Sequence, residues 1–535
     1  LPAIIKPARK RLLSRFLAAL LIAASALANV WFTSIRQTPF PGDEGNHLQS
    51  IMSFFHNGIG TLRESVYPPF FYFVSIIVHH VVGTSMQASI AVNILFLFAL
   101  VLGTFGIARH ITQSEAAATF AAMLVVAYPM TVNLSRMAML DFALMGMVAL
   151  SAWLLLETQS FSRRGASLAF GLTCGLGMLT RGSFAIFLAG PVIVEIALAF
   201  RSDSHDESRN LMRAFQNFCL AAAIGLALAG VWYLPDFQRK ISFGFSRVLL
   251  GANHAQIDFL SHEGLMFYPF TLIDTALSPW LFLPFVMSIP LFLKNSAIWR
   301  AQLASWIIFP WLVFSNMPWK LARYMAPALP ALAIITAVGL LSIKTKYFRH
   351  SSVLMSALVA LSIWLSLTFG APPPKIFVEN GWASIITGIH LDPSDYREDI
   401  HVGPPEGKDR NLETIGGIIQ GAVRRGKTLT VIRFLNTPTG WDQQAPYEHP
   451  LNFPLGYFIA RENLNARLID CWFEDGAVRT LWPGSDFTPD ADIEKADFLL
   501  GYTGDLPRAL GSEDIWESIY RFDDLGAAKE LYRRK

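Results

Sequence analysis

The chain reads as a polytopic α-helical membrane protein that ends in a soluble α/β domain. Three observations lead there. Of 535 residues, 53% are apolar and only 16% charged, and the mean hydropathy is +0.40, outside the habit of soluble domains. Apolar runs near the roughly 20 residues that cross a bilayer recur from Leu12 to Phe369. Beyond that point the runs shorten and alternate with polar segments. The 41 Phe and 14 Trp suit aromatic belts at a membrane surface. A net charge of only +3, with basic residues gathered at the ends of apolar runs, argues against nucleic acid as a partner.

The basic stretch Lys6–Arg11 precedes the apolar run Leu12–Phe32. Ala24-Ser25-Ala26 would suit a cleavage site, but the run continues to Trp31, so an uncleaved first span is expected, its N-terminus cytoplasmic. The chain then reaches Pro41-Gly42-Asp43-Glu44-Gly45-Asn46-His47. From there Leu48, Ile51, Met52, Phe55 and Ile59 recur at helical spacing against Gln49, Ser50, Ser53 and His56, the pattern of an interfacial amphipathic helix. Tyr67-Pro68-Pro69 opens Phe70–Val82, short for a span and carrying His79-His80, which is expected to be a second interfacial or re-entrant helix.

Further spans are expected at Ile90–Ile107, Ala116–Val132, Met139–Leu156, Ala166–Leu179, Ser183–Phe200, Phe215–Leu234, Phe267–Leu293, Leu303–Phe314, Met325–Ile343 and Val353–Phe369. The total is about eleven spans plus the interfacial helices. With Phe70–Val82 outside that total, Arg163-Arg164 and the charged loop Arg201–Arg213 fall on the cytoplasmic side, where Lys and Arg concentrate.

Ala371-Pro372-Pro373-Pro374 is a stiff break. It divides the chain into a membrane domain, 1–371, and a soluble extracytoplasmic domain, 372–535. In the latter, Thr428–Leu435, Asn465–Phe473 and Ala496–Tyr502 read as strands, with helical patterns near Asn411–Arg424 and Leu455–Glu462. Cys174 and Cys219 lie in apolar runs and Cys471 is alone in the tail. The tail therefore has no internal disulfide, and no metal-ligand spacing is present.

Several charged residues gather on the outer face of this topology. Asp43 and Glu44 follow a Pro-Gly turn and precede a helix, so the plainer reading is a helix cap aided by the helix dipole. Capping explains one acid better than two. Asp141 opens an apolar run, where an ionisable group is costly unless paired or wet. Its plainer reading is a local pair with Arg136. Arg181 sits on a tight turn between two runs, where it could anchor at the interface or hold an anion. Trp319-Lys320-Leu321-Ala322-Arg323-Tyr324 is a basic cluster that would snorkel beside an aromatic belt or bind phosphate. His254 and His262-Glu263 in the long outer loop are lesser candidates. Carboxylates can take a proton from an attacking hydroxyl, and fixed cations can stabilise a leaving phosphate.

In order, the motifs are Asp43-Glu44, Pro68-Pro69 before an apolar helix, and Arg136-x-x-x-Leu140-Asp141. They are followed by Gly175-Leu-Gly-Met-Leu-Thr-Arg-Gly182 and Lys320-Leu-x-x-Tyr-x-x-Pro-x-x-Pro-Ala-Leu332. This series resembles the GT-C glycosyltransferases, and most of all the branch of lipid A aminoarabinose transferases and protein O-mannosyltransferases. The resemblance covers roughly residues 10–370 and not the tail. It implies transfer of a sugar from a polyprenyl-phosphate donor, usually with inversion, to a lipid A or other glycan, lipid or protein acceptor on the outer membrane face. It implies Asp43 as the base with Glu44 beside it, and Asp141 as the second acidic position of the site. Arg181, Lys320 and Tyr324 would lie by the donor phosphate, with Arg323 an additional cation. Where some relatives carry a charged residue or histidine before the proline of the second interfacial helix, this chain has Tyr67.

Some GT-C enzymes use a divalent metal, but one Asp-Glu pair and a remote Asp do not suffice to claim one, so no cofactor is expected. The bacterial character of the architecture suggests the inner membrane with the tail in the periplasm, although an endoplasmic-reticulum lumen would satisfy the same physics. Two other readings remain open on sequence: a lipid or solute transporter, which would need broken, repeated spans, and a non-catalytic GT-C-like subunit whose outer domain recruits partners.

Overall fold

The structure is a computed structural model. It describes residues 2–36, 39, 43–65, 67–200, 207–240, 262–317, 320–370, 412–423, 428–434, 454–474 and 477–480. It also describes 493–535 except 494, 503–505, 507–509, 511–513 and 525–526. The Ala371–Pro374 break, His254, Trp319 and the Pro41-Gly42 turn lie outside the described residues.

The helices run in chain order as α1 (Pro2–Ile35), α2 (Asp43–Asn57), α3 (Phe70–Val82), α4 (Met86–Ala91), α5 (Asn93–Thr112) and α6 (Glu115–Ala127). Next come α7 (Pro129–Leu134), α8 (Leu140–Glu157), α9 (Arg164–Met178), α10 (Phe184–Ala199), α11 (Glu207–Tyr233) and α12 (His262–Thr271). Then follow α13 (Pro279–Phe292), α14 (Ala297–Ser315), α15 (Leu329–Leu341) and α16 (Lys346–Phe369), with α17 (Leu412–Ala422) and α18 (Pro454–Arg461) in the tail. Seven described helical segments are long and apolar enough to cross a membrane: Phe16–Ile35, Met86–Thr112, Leu140–Glu157, Leu211–Tyr233, Ala297–Ser315, Ala322–Leu341 and Lys346–Phe369. An eighth would be the pair Gly264–Leu277 and Pro279–Phe292, bent by 117°. The protein is thus an integral membrane protein. The spans expected at Ala116–Val132, Ala166–Leu179 and Ser183–Phe200 appear as the shorter α6, α9 and α10, so a count near eleven requires these to cross too.

The chain forms two compact units. One takes residues up to Thr33, Gly60–Ser75 and the chain from Ile90 through the last membrane helix; the other takes Ser34–Ile59, Ile76–Ser89 and the C-terminal domain. The division expected at residue 371 thus leaves out two short segments of the N-terminal third that pack with the tail.

In the first unit α5 and α8 lie backbone to backbone. A Cβ on Gly146 would stand 2.5 Å from the Phe96 carbonyl oxygen, the close approach that small residues allow between membrane helices. Helix starts follow local chemistry: the Ser114 hydroxyl accepts from the Ala117 N–H at the head of α6, and Ser296 does the same for Trp299 at α14. After α8, Gln159, Ser160 and Phe161 all take positive φ (49°, 53° and 64°), a strained run for non-glycine residues. It is held in place: Ser160 Oγ donates to Glu195 Oε2 at 3.0 Å, Gln302 Nε2 donates to Glu195 Oε1 at 2.8 Å, and Asn217 Nδ2 donates to the Phe161 carbonyl at 2.8 Å.

In the second unit the tail builds a six-stranded mixed sheet, ordered β3-β2-β1-β4-β6-β5. The strands are β1 (Leu429–Phe434), β2 (Ala466–Glu474), β3 (Ala477–Thr480), β4 (Phe498–Tyr502), β5 (Trp516–Asp524) and β6 (Ala527–Arg534). β1 runs parallel to β2 and β4, and the other pairings are antiparallel. Leu412, Ile415 and Ile419 of α17 and Leu455 and Phe458 of α18 cover one face, against Val431, Phe498 and Leu500. Alternation along β1 turns Ile432 and Phe434 to the other face with Leu499 and Trp516.

Candidate active site

Asp141 lies in the first turn of α8, and the turn before it is fixed from α5. Asn93 Nδ2 donates to the carbonyls of Ser135 at 3.1 Å and Met137 at 2.7 Å. This sets where α8 begins and therefore where the carboxylate stands. Asp141 is 2% exposed and ion-paired with Arg181 through Oδ1; its Oδ2 lies 3.4 Å from Arg323 Nε.

Arg181 comes from the turn between α9 and α10. Its N–H bonds back to the Gly177 carbonyl at 3.1 Å and its carbonyl accepts from Phe184 at 3.0 Å. The turn is also tied to the opening of α3. Pro68 and Pro69 have no N–H to give, so Phe70 supplies the first, which donates to the Leu179 carbonyl at 2.9 Å. A Cβ at position 177 would collide with the Phe184 ring, so this close return requires glycine there. Burial would lower the Arg181 pKa, but the charge of Asp141, with Tyr324 and Tyr67 adding to it, raises it above the ordinary arginine value.

Lys320, Arg323 and Tyr324 flank and begin the 3₁₀ segment Ala322–Ala328. The Arg181 guanidinium lies 5.2 Å from the centre of the Tyr324 ring, a cation–π distance. Lys320 is 8% exposed and donates to the Met317 carbonyl. Burial pushes its ammonium down to about 8.

Arg136 does not pair locally with Asp141. Its guanidinium donates to the Leu367 carbonyl at 2.9 Å, Thr368 Oγ1 at 2.6 Å and Asn29 Oδ1 at 3.1 Å, and lies 4.5 Å from the Phe32 ring centre. It joins α1 to α16. Asp141 is left to partners from far along the chain.

In the second unit Asp43 and Glu44 open α2, both in its first turn. Asp43 is half-buried. Glu44 is fully buried and its Oε1 accepts from Arg36 Nη2 at 2.7 Å, with Arg36 itself 2% exposed. Arg36 Nη2 also lies 3.5 Å from the Met86 sulfur, and the Arg36 carbonyl accepts from Gln87 Nε2 at 3.2 Å. Arg36 and Asn93 escaped the sequence reading. Arg36 carried a usable signal, an arginine at the end of the first span opposite the basic N-terminus, against the bias for Lys and Arg inside. Asn93 looked like one polar residue in an apolar run.

Chemically, Asp141, Arg181 and Arg323 are one carboxylate between two guanidiniums, suited to hold an anion such as a phosphate. Among the described residues no group of three or more His, Cys, Asp or Glu is placed to hold a metal ion.

The resemblance to the GT-C glycosyltransferases noted in the sequence is supported by comparison with known proteins. The fold matches that of ArnT from Cupriavidus metallidurans in the apo state, with a TM-score of 0.62 at 16% identity over 96% of this chain and 97% of that one. It is also similar to the mycobacterial arabinofuranosyltransferase AftD, TM-score 0.53 at 12% identity, covering 97% of this chain and 40% of that one. A family model described as dolichyl-phosphate-mannose-protein mannosyltransferase matches residues 56–243. In sequence the chain is 25% identical over 252 residues to the undecaprenyl phosphate-alpha-4-amino-4-deoxy-L-arabinose arabinosyl transferase of Serratia proteamaculans, covering 43% of this chain and 42% of that protein. To the protein of the same description in Aeromonas hydrophila it is 26% identical over 243 residues, 43% and 42% of the two chains. The matches thus span less than half the length of these relatives.

Proposed function

We propose that the protein is a membrane glycosyltransferase that moves a sugar from a polyprenyl-phosphate donor to a lipid, glycan or protein acceptor, with inversion at the anomeric carbon. The observation that carries this reading is Asp141 between Arg181 and Arg323, with Tyr324 against Arg181. The relatives named for undecaprenyl-phosphate-linked aminoarabinose, and the ArnT structure described as bound to undecaprenyl phosphate, support the choice of donor.

In this reading the Asp43 carboxylate takes the proton of the acceptor hydroxyl as its oxygen attacks the anomeric carbon. The bond from that carbon to the phosphate oxygen breaks, and the polyprenyl phosphate leaves as an anion. Arg181, Arg323 and Lys320 receive the growing negative charge, and Tyr324 keeps Arg181 in place. A phosphate leaves readily, so no general acid is needed, unlike glycoside hydrolysis. Asp141 positions the two arginines. Glu44, bound to Arg36, anchors the first turn of α2, which carries Asp43. The membrane region (1–371) would cross about eleven times with the shorter helices included. Its N-terminus would be cytoplasmic and the C-terminal domain (372–535) periplasmic, in a bacterial inner membrane. A transporter would call for repeated broken spans, and the described residues hold a single bent pair.

The test is turnover of radiolabelled polyprenyl-phosphate sugars by the purified protein in detergent or nanodiscs, with mass spectrometry of the product. Asp43→Asn is expected to lower transfer by about 100-fold or more while donor binding stays intact. Wild-type turnover in Asp43→Asn would sink the assignment of the base.

A further inference from the structure

The turn that carries Arg181 is also held from α11, within the same compact unit. α9 and α11 lie close along their length. A Cβ on Gly171 would come within 2.5 Å of the Ala221 carbonyl oxygen, and one on Gly175 within 2.7 Å of Leu228 Cβ, so small residues let the two backbones approach. α9 ends at Met178 and α11 at Tyr233. There the Tyr233 hydroxyl donates to the Met178 carbonyl at 3.1 Å, taking up one of the carbonyls that a helix leaves over at its end. A Cβ on Gly182 would stand 3.2 Å from the same hydroxyl oxygen. Tyr233 therefore meets the turn on both sides of Arg181.

Tyr233 has its own support. Lys240 Nζ donates to the Trp232 carbonyl at 2.6 Å and to the Pro235 carbonyl at 2.9 Å, and lies 4.4 Å from the centre of the Trp232 ring. A cation at the C-terminal end of a helix is favoured by its carbonyls and by the helix dipole. Lys240 is 6% exposed, so its ammonium serves the backbone rather than solvent. The Trp232 ring in turn stands edge-on to the Tyr233 ring, centroids 4.7 Å apart and planes at 84°. A tyrosine at the end of a membrane span is expected in the interfacial belt with its hydroxyl toward the headgroups. This hydroxyl is turned onto the backbone beside Arg181 instead.

We propose that Tyr233 is a positioning residue for Arg181, itself held by Lys240: its hydroxyl fixes the Met178–Gly182 turn and so sets where the guanidinium meets the donor phosphate. This rests on the reading of Arg181 as a phosphate ligand. The turn has other ties, from the Phe70 N–H to the Leu179 carbonyl and from the Arg181 N–H to the Gly177 carbonyl, so losing one hydroxyl loosens it without unfolding it. A guanidinium held in place binds an anion more tightly than one that must be ordered on binding.

The test measures the Kd for labelled undecaprenyl phosphate, and the Tm, of the full-length protein in detergent. Tyr233→Phe removes only the hydroxyl. It is expected to raise Kd about three- to tenfold, the size of one neutral hydrogen bond, with Tm within about 4 °C of wild type. In the double variant with Arg181→Ala, affinity should fall no further than in Arg181→Ala alone, because no guanidinium is left to aim. Lys240→Met keeps the stem and removes the ammonium. It should raise Kd less than Tyr233→Phe does and add nothing to it when the two are combined. Wild-type affinity in Tyr233→Phe overturns the inference, whatever its Tm, as do losses that multiply in the double variant with Arg181→Ala. Wild-type affinity in Lys240→Met, or losses that multiply with those of Tyr233→Phe, removes Lys240 from it. Arg181→Ala separates the two levels. If it weakens binding while Tyr233→Phe does not, the positioning role alone fails; if it binds as wild type does, the phosphate reading fails and the positioning role goes with it.

Discussion

Glu44 and Asp141 are both buried carboxylates that meet arginines, and they are built differently. Glu44 is fully enclosed and faces Arg36, itself 2% exposed. Asp141 is nearly as buried, but it is shared between Arg181, 22% exposed, and Arg323. The first is one negative charge against one positive charge, closed to water. The second sums to one positive charge over its three members and is open on the Arg181 side. A closed, balanced pair organises the chain around it. A partly open centre with a cation to spare can take up an anion.

The largest effects should come from removing each carboxylate. Glu44→Gln and Asp141→Asn each leave buried guanidinium without its counter-charge, a loss of about 3–5 kcal/mol, read as a drop in Tm. They should part company when polyprenyl phosphate is added. The lipid phosphate can replace the missing charge beside Arg181 and Arg323, so Asp141→Asn should regain more Tm than wild type gains, and Glu44→Gln should not. Equal recovery in the two variants would erase the distinction.

Next in size is Arg181→Ala, which should weaken donor binding about ten- to a hundredfold, the loss of a charge-assisted contact worth about 1.5–3 kcal/mol, measured by equilibrium binding of a labelled polyprenyl phosphate. Arg36→Ala is expected to cost stability and leave that affinity alone.

Smaller again is a pH effect. Burial holds the folded Lys320 pKa at about 8, below the ordinary 10.5. Below pH 8 the ammonium is charged in folded and unfolded chains alike. Between about 8 and 10.5 the folded chain has released a proton that the unfolded chain keeps, so this group's contribution to stability rises with pH. Anion binding runs the other way, because it needs the ammonium. Donor KM should therefore climb above pH 8, and Lys320→Arg, which stays charged, should flatten that climb. Gly177→Ala adds a methyl that meets the Phe184 ring and should cost about 1–3 kcal/mol of stability by overpacking the Arg181 turn, read as a drop in Tm.

Much of this was legible in the sequence, for reasons that differ by region. Membrane helices announce themselves because bilayer thickness demands long apolar runs, and the run expected at Met139–Leu156 appears as Leu140–Glu157. The run at Val353–Phe369 appears within Lys346–Phe369. In the tail, β1, β2 and β4 were readable from their apolar runs. β3, β5 and β6 were not: Trp516–Asp524 and Ala527–Arg534 are rich in charge and owe their form to antiparallel pairing with each other and, for β6, with β4. At the candidate site, residue types and order singled out Asp141, Arg181, Arg323 and Tyr324, whereas which cation Asp141 would meet was a matter of long-range packing. Arg136 lies five residues from Asp141 in sequence and is drawn away by α1 and α16. Packing of α2 against the tail could not be read from either segment alone.

The left-handed run at Gln159–Phe161 carries a mechanical consequence. Through Glu195, Gln302 and Asn217 it ties the far ends of α8 and α10, away from Asp141 and Arg181, to the first third of α14 and to the body of α11. Helices pinned in this way can tilt but not slide, so a widening of the bundle should pivot about that knot, with displacement growing toward the Arg181 turn. Amide hydrogen exchange should accordingly be slowest around Thr158–Ser162 and quicken along α10 toward Phe184.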